Sequence, residues 1–175
     1  MSEFGAAKSL QPRSAVSYTT IDSPVGSLLM AAGAQGLRLV SLESSKRAAS
    51  VQPEWREDKT QFAEVIRQLQ AYFAGELREF DLPLAPEGTE FQLRVWNCLR
   101  TIPYGETISY AQLAQKIGNP QAVRAVGLAN GSNPIPIIIP CHRVIGSDGS
   151  LTGFGGGLSN KRKLLALESR QLSLL

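Results

Sequence analysis

The chain's capacity for covalent chemistry is concentrated in one segment. Asn133-Pro-Ile-Pro-Ile-Ile-Ile-Pro-Cys-His-Arg-Val-Ile145 delivers Cys141 beside His142, the single histidine among 175 residues. A thiolate is a nucleophile, and an adjacent imidazole or positive charge lowers the pKa of its thiol. His142 and Arg143 follow Cys141 directly, so both are candidates for that effect. A structural cysteine belongs inside an apolar run, whereas Cys141 stands at the end of one. On an extended segment neighbouring side chains point to opposite sides, so Cys141 meets His142 only through a turn or a bridging water. Spacing alone leaves a catalytic and a structural Cys141 equally open. Cys98 lies inside an apolar helical pattern and reads as core, as do Phe91 and Trp96.

Other chemistries are short of residues. Two cysteines and one histidine do not complete a four-ligand structural zinc site, and no disulfide framework is possible. A reducing, cytoplasmic compartment is the expectation. No run approaches the ~18 apolar residues of a membrane span, and the first ten residues lack a signal-peptide core. With 43% hydrophobic residues and a mean hydropathy of −0.07, a soluble, packed protein of one or two domains is expected. Residues 1–86 carry nine Lys/Arg against ten Asp/Glu, and residues 87–175 carry nine against five. The second half, at +4, suits a polyanion partner.

These residues need elements to position them. Residues 1–15 read as a flexible polar tail. Val16–Ile21, Ser27–Ala32 and Leu37–Leu42 read as strands of an antiparallel meander, parted by turns at 23–26 and 33–36. A helix is expected from about Asp58, with Phe62, Val65, Ile66, Leu69 and Phe73 on one face and Gly75 as its stop. Asp81–Gly88 is the expected linker. Thr89 with Gln92 and Ser109 with Gln112 form capping boxes for two further helices. Asn119, with Pro120 at the first helical position, predicts the start of a third, so that a helix-turn-helix spans Gly118. That third helix presents Ala122, Ala125, Gly127, Ala129 and Gly131, with Arg124 as its only charge. Such a face suits either tight helix packing or the close approach of a nucleic-acid backbone. A last helix is expected from Ser159. Its Lys161-Arg-Lys163 reads either as solvated or as phosphate-binding, and the N-half carboxylates, such as Asp22 and Glu64, read as solvated.

The segment Ile139-Pro-Cys-His-Arg-Val144 closely resembles the active-site motif of the O6-alkylguanine-DNA alkyltransferases, the methylated-DNA–protein-cysteine methyltransferases. The resemblance extends through Phe91-Gln-Leu-Arg-Val-Trp96, Ile102-Pro-Tyr-Gly105, Ser109-Tyr-Ala-Gln-Leu-Ala114, Arg124-Ala-Val-Gly127, Asn133-Pro134, Gly153-Phe-Gly-Gly-Gly157 and Leu164-Leu-Ala-Leu-Glu168. It covers residues 89–168 in order, while residues 16–86 match loosely. It implies an α/β fold: a small N-terminal domain with an antiparallel sheet and a helix (16–86), and a mostly helical, winged-helix-like C-terminal domain (87–175).

The resemblance also implies roles. Cys141 would accept the alkyl group of O6-alkylguanine, with O4-alkylthymine as a further candidate, in double-stranded DNA. His142 would take the thiol proton by way of a water, Glu168 would orient His142, and Asn133 would brace the active-site turn. Tyr110 would hydrogen-bond the guanine and protonate it as it leaves. Arg124 would fill the gap left by the flipped nucleotide, with Ala125, Ala129 and Gly131 on the DNA-facing surface of its helix. Carbonyls of Cys141 and Val144 and the loop Phe154-Gly155-Gly156 would hold the base. No cofactor is implied, and the thioether product makes Cys141 a single-use acceptor in a monomer able to cluster along DNA. The chain departs from the family in three respects. No Cys or His lies in residues 1–86 to hold the zinc of some members, Phe154 replaces a frequent Tyr, and Gly155 predicts a looser loop that admits larger alkyl groups. The rival readings are a non-catalytic sensor of alkylated bases, a cysteine hydrolase and a transcription regulator. A sensor needs no Cys141, a hydrolase lacks its later His, and a regulator wants longer polar readers on the Arg124 helix.

Overall fold

Strand β1 (Ser17–Ile21) is paired antiparallel with β2 (Leu28–Gly33), and β2 with β3 (Gly36–Leu42). A short β4 (Arg56–Glu57) adds to β1 in parallel, giving the order β3-β2-β1-β4. These pairings come from a computed structural model that describes residues 15–173, with side chains through Arg170. The expected tail, residues 1–15, lies outside the described residues except for Ala15. Among the described residues, no helix is long and apolar enough to cross a membrane.

One face of the sheet is apolar because Leu28, Met30, Leu37, Val40 and Leu42 point the same way, and all are buried. Helix α1 (Ala63–Phe73) covers that face with Phe62, Val65, Leu69 and Tyr72. Asp58 caps the 3-10 turn leading into α1, and Gly75, at φ +77°, ends it in the left-handed conformation that a glycine adopts without strain.

The expected linker is also part of the sheet's edge. Leu37 donates to the Pro83 carbonyl at 2.9 Å, and Ala85 donates to Leu37 at 2.8 Å. Only a glycine at 36 lets the chain pass this closely, since a Cβ there would collide with the Pro83 carbonyl.

The second half is helical: α2 (Glu90–Leu99), α3 (Tyr110–Lys116), α4 (Val123–Gly131) and α5 (Leu158–Ser173). Both expected capping boxes are formed, Thr89 with Gln92 and Ser109 with Gln112. A two-stranded parallel pair, β5 (Ile108–Ser109) and β6 (Val144–Ile145), ties the entry of α3 to the residues after the cysteine. Trp96 of α2 is buried and donates to the Ala129 carbonyl of α4 at 2.8 Å. Cys98 is half-buried and packs against the same core.

One local expectation is corrected. α4 begins at Val123 rather than at Pro120, and Asn119 does not cap it with its side chain. Instead the Asn119 carbonyl accepts from Ala122 at 3.0 Å, closing a turn between α3 and α4. The apolar run before Cys141, to which the sequence pattern assigned no element, is coiled into turns. Ile139 donates to Ile135 at 2.9 Å, and Ile137 takes φ +74°. A β-branched residue in that region carries about 1–3 kcal/mol of strain, sustained where the surroundings fix it. Ile135, Ile137, Ile138 and Ile139 are all buried, and Val40 of β3 donates to the Pro134 carbonyl at 2.9 Å. The first domain therefore supports the run that carries the cysteine, and a single apolar core extends through both halves.

Candidate active site

Cys141, His142 and Arg143 form one 3-10 turn, and all three are buried. The turn answers the geometric problem of adjacent residues, because it lets Cys141 line a cavity while His142 enters the protein. His142 Nε2 lies 2.8 Å from Glu168 Oε1 on α5. Burial raises the Glu168 carboxyl, but hydrogen bonds from His142 and Arg143 outweigh it and hold the group at about 2. Glu168 is therefore a carboxylate, so Nε2 carries the proton and donates. Nδ1 is then the ring atom able to accept one, and it is buried without a hydrogen-bond partner among the described residues.

Glu168 is held from every side. Arg143 Nε reaches Oε2 at 3.0 Å and Nη2 reaches Oε1 at 2.8 Å, while Nη1 donates to the Ile102 carbonyl at 2.7 Å. Tyr72 of α1 donates to Oε1 at 2.8 Å, and the Gly105 amide lies 3.4 Å from Oε2. A buried charge needs this degree of pairing.

The thiol itself is not activated at rest. Burial pushes Cys141 up to about 11, although the Asn133 side chain and the Lys161 charge act the other way. Burial also pushes His142 below its ordinary value, against the pull of Glu168. Both shifts favour a neutral thiol beside a neutral imidazole. The expectation that His142 and Arg143 would lower the thiol pKa is thus reversed. Arg143 spends its charge on Glu168, and desolvation of Cys141 prevails.

Asn133 braces the turn as expected: its Nδ2 donates to the Ile139 carbonyl at 2.8 Å, and its Oδ1 accepts from Ile135 at 3.0 Å. Cys141 lines a cavity of about 310 Å³ together with Asn133, Pro136, Phe154, Gly155 and Gly156. The glycine loop is anchored at Gly156. Ser44 and Asn160 both donate to the Gly156 carbonyl, at 2.7 and 3.0 Å, and Phe154 is buried.

The family model for the 6-O-methylguanine DNA methyltransferase DNA-binding domain matches residues 90–170, and that for the ribonuclease-like domain of the same enzymes matches residues 16–86. The chain belongs to this methyltransferase family. It is 55% identical over 151 residues to the methylated-DNA–protein-cysteine methyltransferase of Methanosarcina acetivorans, covering 86% of this chain and 97% of that one. It is 55% identical over 161 residues to that of Mycolicibacterium paratuberculosis, covering 89% and 93%. The crystal structure of Mycobacterium tuberculosis OGT in complex with DNA superposes with a TM-score of 0.82 at 52% identity, covering 89% of this chain and 94% of that one. The O6-methylguanine-DNA methyltransferase of Pyrococcus kodakaraensis, at 22% identity and a TM-score of 0.60, shares the fold. The chain is accordingly a methylated-DNA–[protein]-cysteine S-methyltransferase.

Other expected residues of the methyltransferase are placed as follows. Tyr110, first residue of α3, donates to the Thr152 carbonyl at 2.9 Å. Burial raises its pKa, so it keeps its proton. Val144 is fully buried, and its carbonyl accepts from Lys161 Nζ at 2.6 Å. Arg124, Ala125 and Gly131 are exposed on α4. Ala129 is not part of that surface: it is buried against α2, where its carbonyl receives the Trp96 hydrogen bond. A Cβ at Gly127 would sit 3.8 Å from the Tyr110 ring, an ordinary contact, so helix packing does not require that glycine.

Sequence reasoning missed Tyr72 and the roles of Lys161 and Arg143. Lys161 is fully buried, with Nζ also donating to the Thr152 carbonyl at 2.8 Å, so neither reading of the Lys161-Arg-Lys163 run applies to it. The signal was available, since Lys161, Leu164 and Glu168 recur at helical spacing on one buried face. Tyr72 gave none, because its partner lies 96 residues away.

Proposed function

We propose that this methyltransferase repairs DNA by moving the alkyl group of O6-alkylguanine from an extruded nucleotide irreversibly onto Cys141. The observation that carries the reading is a cysteine lining a cavity, followed directly in one turn by a histidine hydrogen-bonded to a buried carboxylate. Attack at an O-alkyl carbon needs a soft anionic nucleophile and a leaving oxygen relieved of its charge. The thiol proton passes to His142 Nδ1, and the imidazolium is held by the Glu168 carboxylate. Sγ bonds to the alkyl carbon, the C–O6 bond breaks, and its electron pair goes to the guanine. Tyr110 supplies the proton that neutralises the departing base, exchanging the Thr152 carbonyl for the guanine.

Burial favours the neutral form of both partners in the resting protein. That limits alkylation of Cys141 by stray electrophiles. A base inside the duplex stack is out of reach, so the nucleotide is flipped at a few kcal/mol of lost stacking. Arg124, exposed on a helix of small residues, suits insertion into the gap from the minor groove. The thioether resists hydrolysis and, unlike a disulfide, does not exchange with a thiol. One chain therefore acts once. A nucleophile of this kind needs a reducing compartment, in keeping with a cytoplasmic protein.

Intact-mass spectrometry after mixing with a duplex containing one O6-methylguanine tests the reading. We expect a gain of one methylene equivalent, mapping to Cys141 and saturating at one per chain. Tight binding without a mass change would assign the protein as a sensor. Repair by unmodified protein with continued turnover would make it a hydrolase or oxidase.

A further inference from the structure

The cysteine cavity has a wall from the first domain. Leu39, Val40, Ser41 and Leu42 of β3 line it, together with Ser45 and Arg47 from the connection that follows. That connection is built against the glycine loop. Ser44 Oγ donates to the Gly156 carbonyl, Asn160 reaches the same hydroxyl at 2.9 Å, and the Ala49 amide donates to Ser41 Oγ at 2.8 Å. A Cβ at Gly156 would lie 2.7 Å from Leu42 Cδ2, so the two surfaces are in close contact. Arg47 is exposed, and its guanidinium forms no ion pair among the described residues. Among the described residues, no carboxylate lines the cavity. The nearby Glu43 instead accepts from the Ser27 amide at 3.0 Å. The cavity that holds the nucleophile therefore has one uncompensated positive charge at its rim.

We propose that Arg47 is a specificity-determining residue that lets the methyltransferase accept alkyl groups ending in a carboxylate, carboxymethyl being the smallest. The proposal rests on the function proposed above and names a substrate class for the same site. A thiolate attacking a methylene that bears a carboxylate brings two negative charges within a few ångströms, and their repulsion raises the barrier. A methyl group raises no such barrier. The Arg47 guanidinium supplies the counter-charge, and its planar fork matches a carboxylate. In the reaction Sγ bonds to the methylene carbon and the C–O6 bond breaks. The electron pair leaves with the guanine, which takes up a proton. The carboxylate is unchanged and remains on S-carboxymethylcysteine.

The test compares single-turnover transfer from three duplexes, carrying O6-methyl-, O6-carboxymethyl- or O6-carbamoylmethylguanine. The carbamoylmethyl group has the shape of carboxymethyl and no charge, so the ratio of those two rates isolates the effect of charge. We expect the carboxymethyl-to-carbamoylmethyl ratio to fall about fivefold in Arg47→Ala and further in Arg47→Glu, while Arg47→Lys keeps most of it. Added salt should shrink the difference between wild type and Arg47→Ala. A ratio that is the same in all four proteins overturns the proposal. So does an equal slowing of all three substrates in Arg47→Ala, which would make Arg47 a phosphate contact to DNA. Failure of the wild type to transfer even the methyl group would instead remove the underlying function.

Discussion

Lys161 places an ammonium group inside the protein within electrostatic reach of the nucleophile. Its charge opposes the burial that pushes Cys141 to about 11, and burial in turn lowers the pKa of Lys161 itself. Below its pKa, a thiol gains tenfold in thiolate with each pH unit. Iodoacetamide labelling of Cys141 in the free protein should therefore climb steadily from pH 7 towards 11, followed by peptide mass spectrometry. Lys161→Met keeps the length and removes the charge, so the profile should move to higher pH and labelling at pH 9 should slow several-fold. A profile levelling off near pH 8 in the wild type would mean that the resting thiol is already activated. At this scale the sequence singled out Cys141 and His142, because their types are rare in the chain and adjacent. It concealed the state of the thiol. Burial decides that state, and burial comes from β3 and α5, far away in the sequence.

Elements with local signals were legible in advance. The two capping boxes are written in side chains three residues apart, and α1 is written in a 3.6-residue period, so both formed where the pattern placed them. The start of α4 was misread because Asn119 and Pro120 close a turn as readily as they open a helix. The run 133–140 carries no local signal for its turns, because they are fixed by long-range contacts, such as Val40 with Pro134. The loop 153–157 shows how such an element reaches the chemistry. Gly153 has φ +70°, and a Cβ there would lie 2.8 Å from the Tyr110 hydroxyl. Gly153→Ala should displace that hydroxyl from the Thr152 carbonyl, at about 1 kcal/mol of backbone strain. Alkyl transfer from an O6-methylguanine duplex should slow roughly tenfold or more, as expected for loss of a positioned acid. Combining Gly153→Ala with Tyr110→Phe should add little to the effect of Tyr110→Phe alone, since both act through one hydroxyl. Additive losses would place the effect of Gly153 elsewhere.

Glu168 joins the whole molecule, because one carboxylate bonds Tyr72 of the first domain and His142, Arg143 and Gly105 of the second. Acid stability should follow from that. Glu168 is lowered from 4.5 to about 2, and His142 is lowered from 6.5. Below pH 6.5 the unfolded chain binds a proton on His142 that the folded state resists, so stability declines as the pH falls. Below 4.5 the unfolded chain also protonates Glu168, and a further contribution of about 3 kcal/mol is lost by pH 2. The urea midpoint should drop from pH 7 to pH 5 and more steeply below pH 4.5, and Glu168→Gln should flatten the lower limb. The shared core also requires both halves to unfold together. Trp55 lies beside Tyr18 in the first half, and Trp96 is buried in the second. Trp96 fluorescence in Trp55→Phe and Trp55 fluorescence in Trp96→Phe should each follow the same urea curve as that variant's far-ultraviolet circular dichroism. At pH 4 both pairs of curves should shift and still coincide. Fluorescence and dichroism that separate would mean that the domains unfold independently and that the Tyr72–Glu168 contact does not couple them.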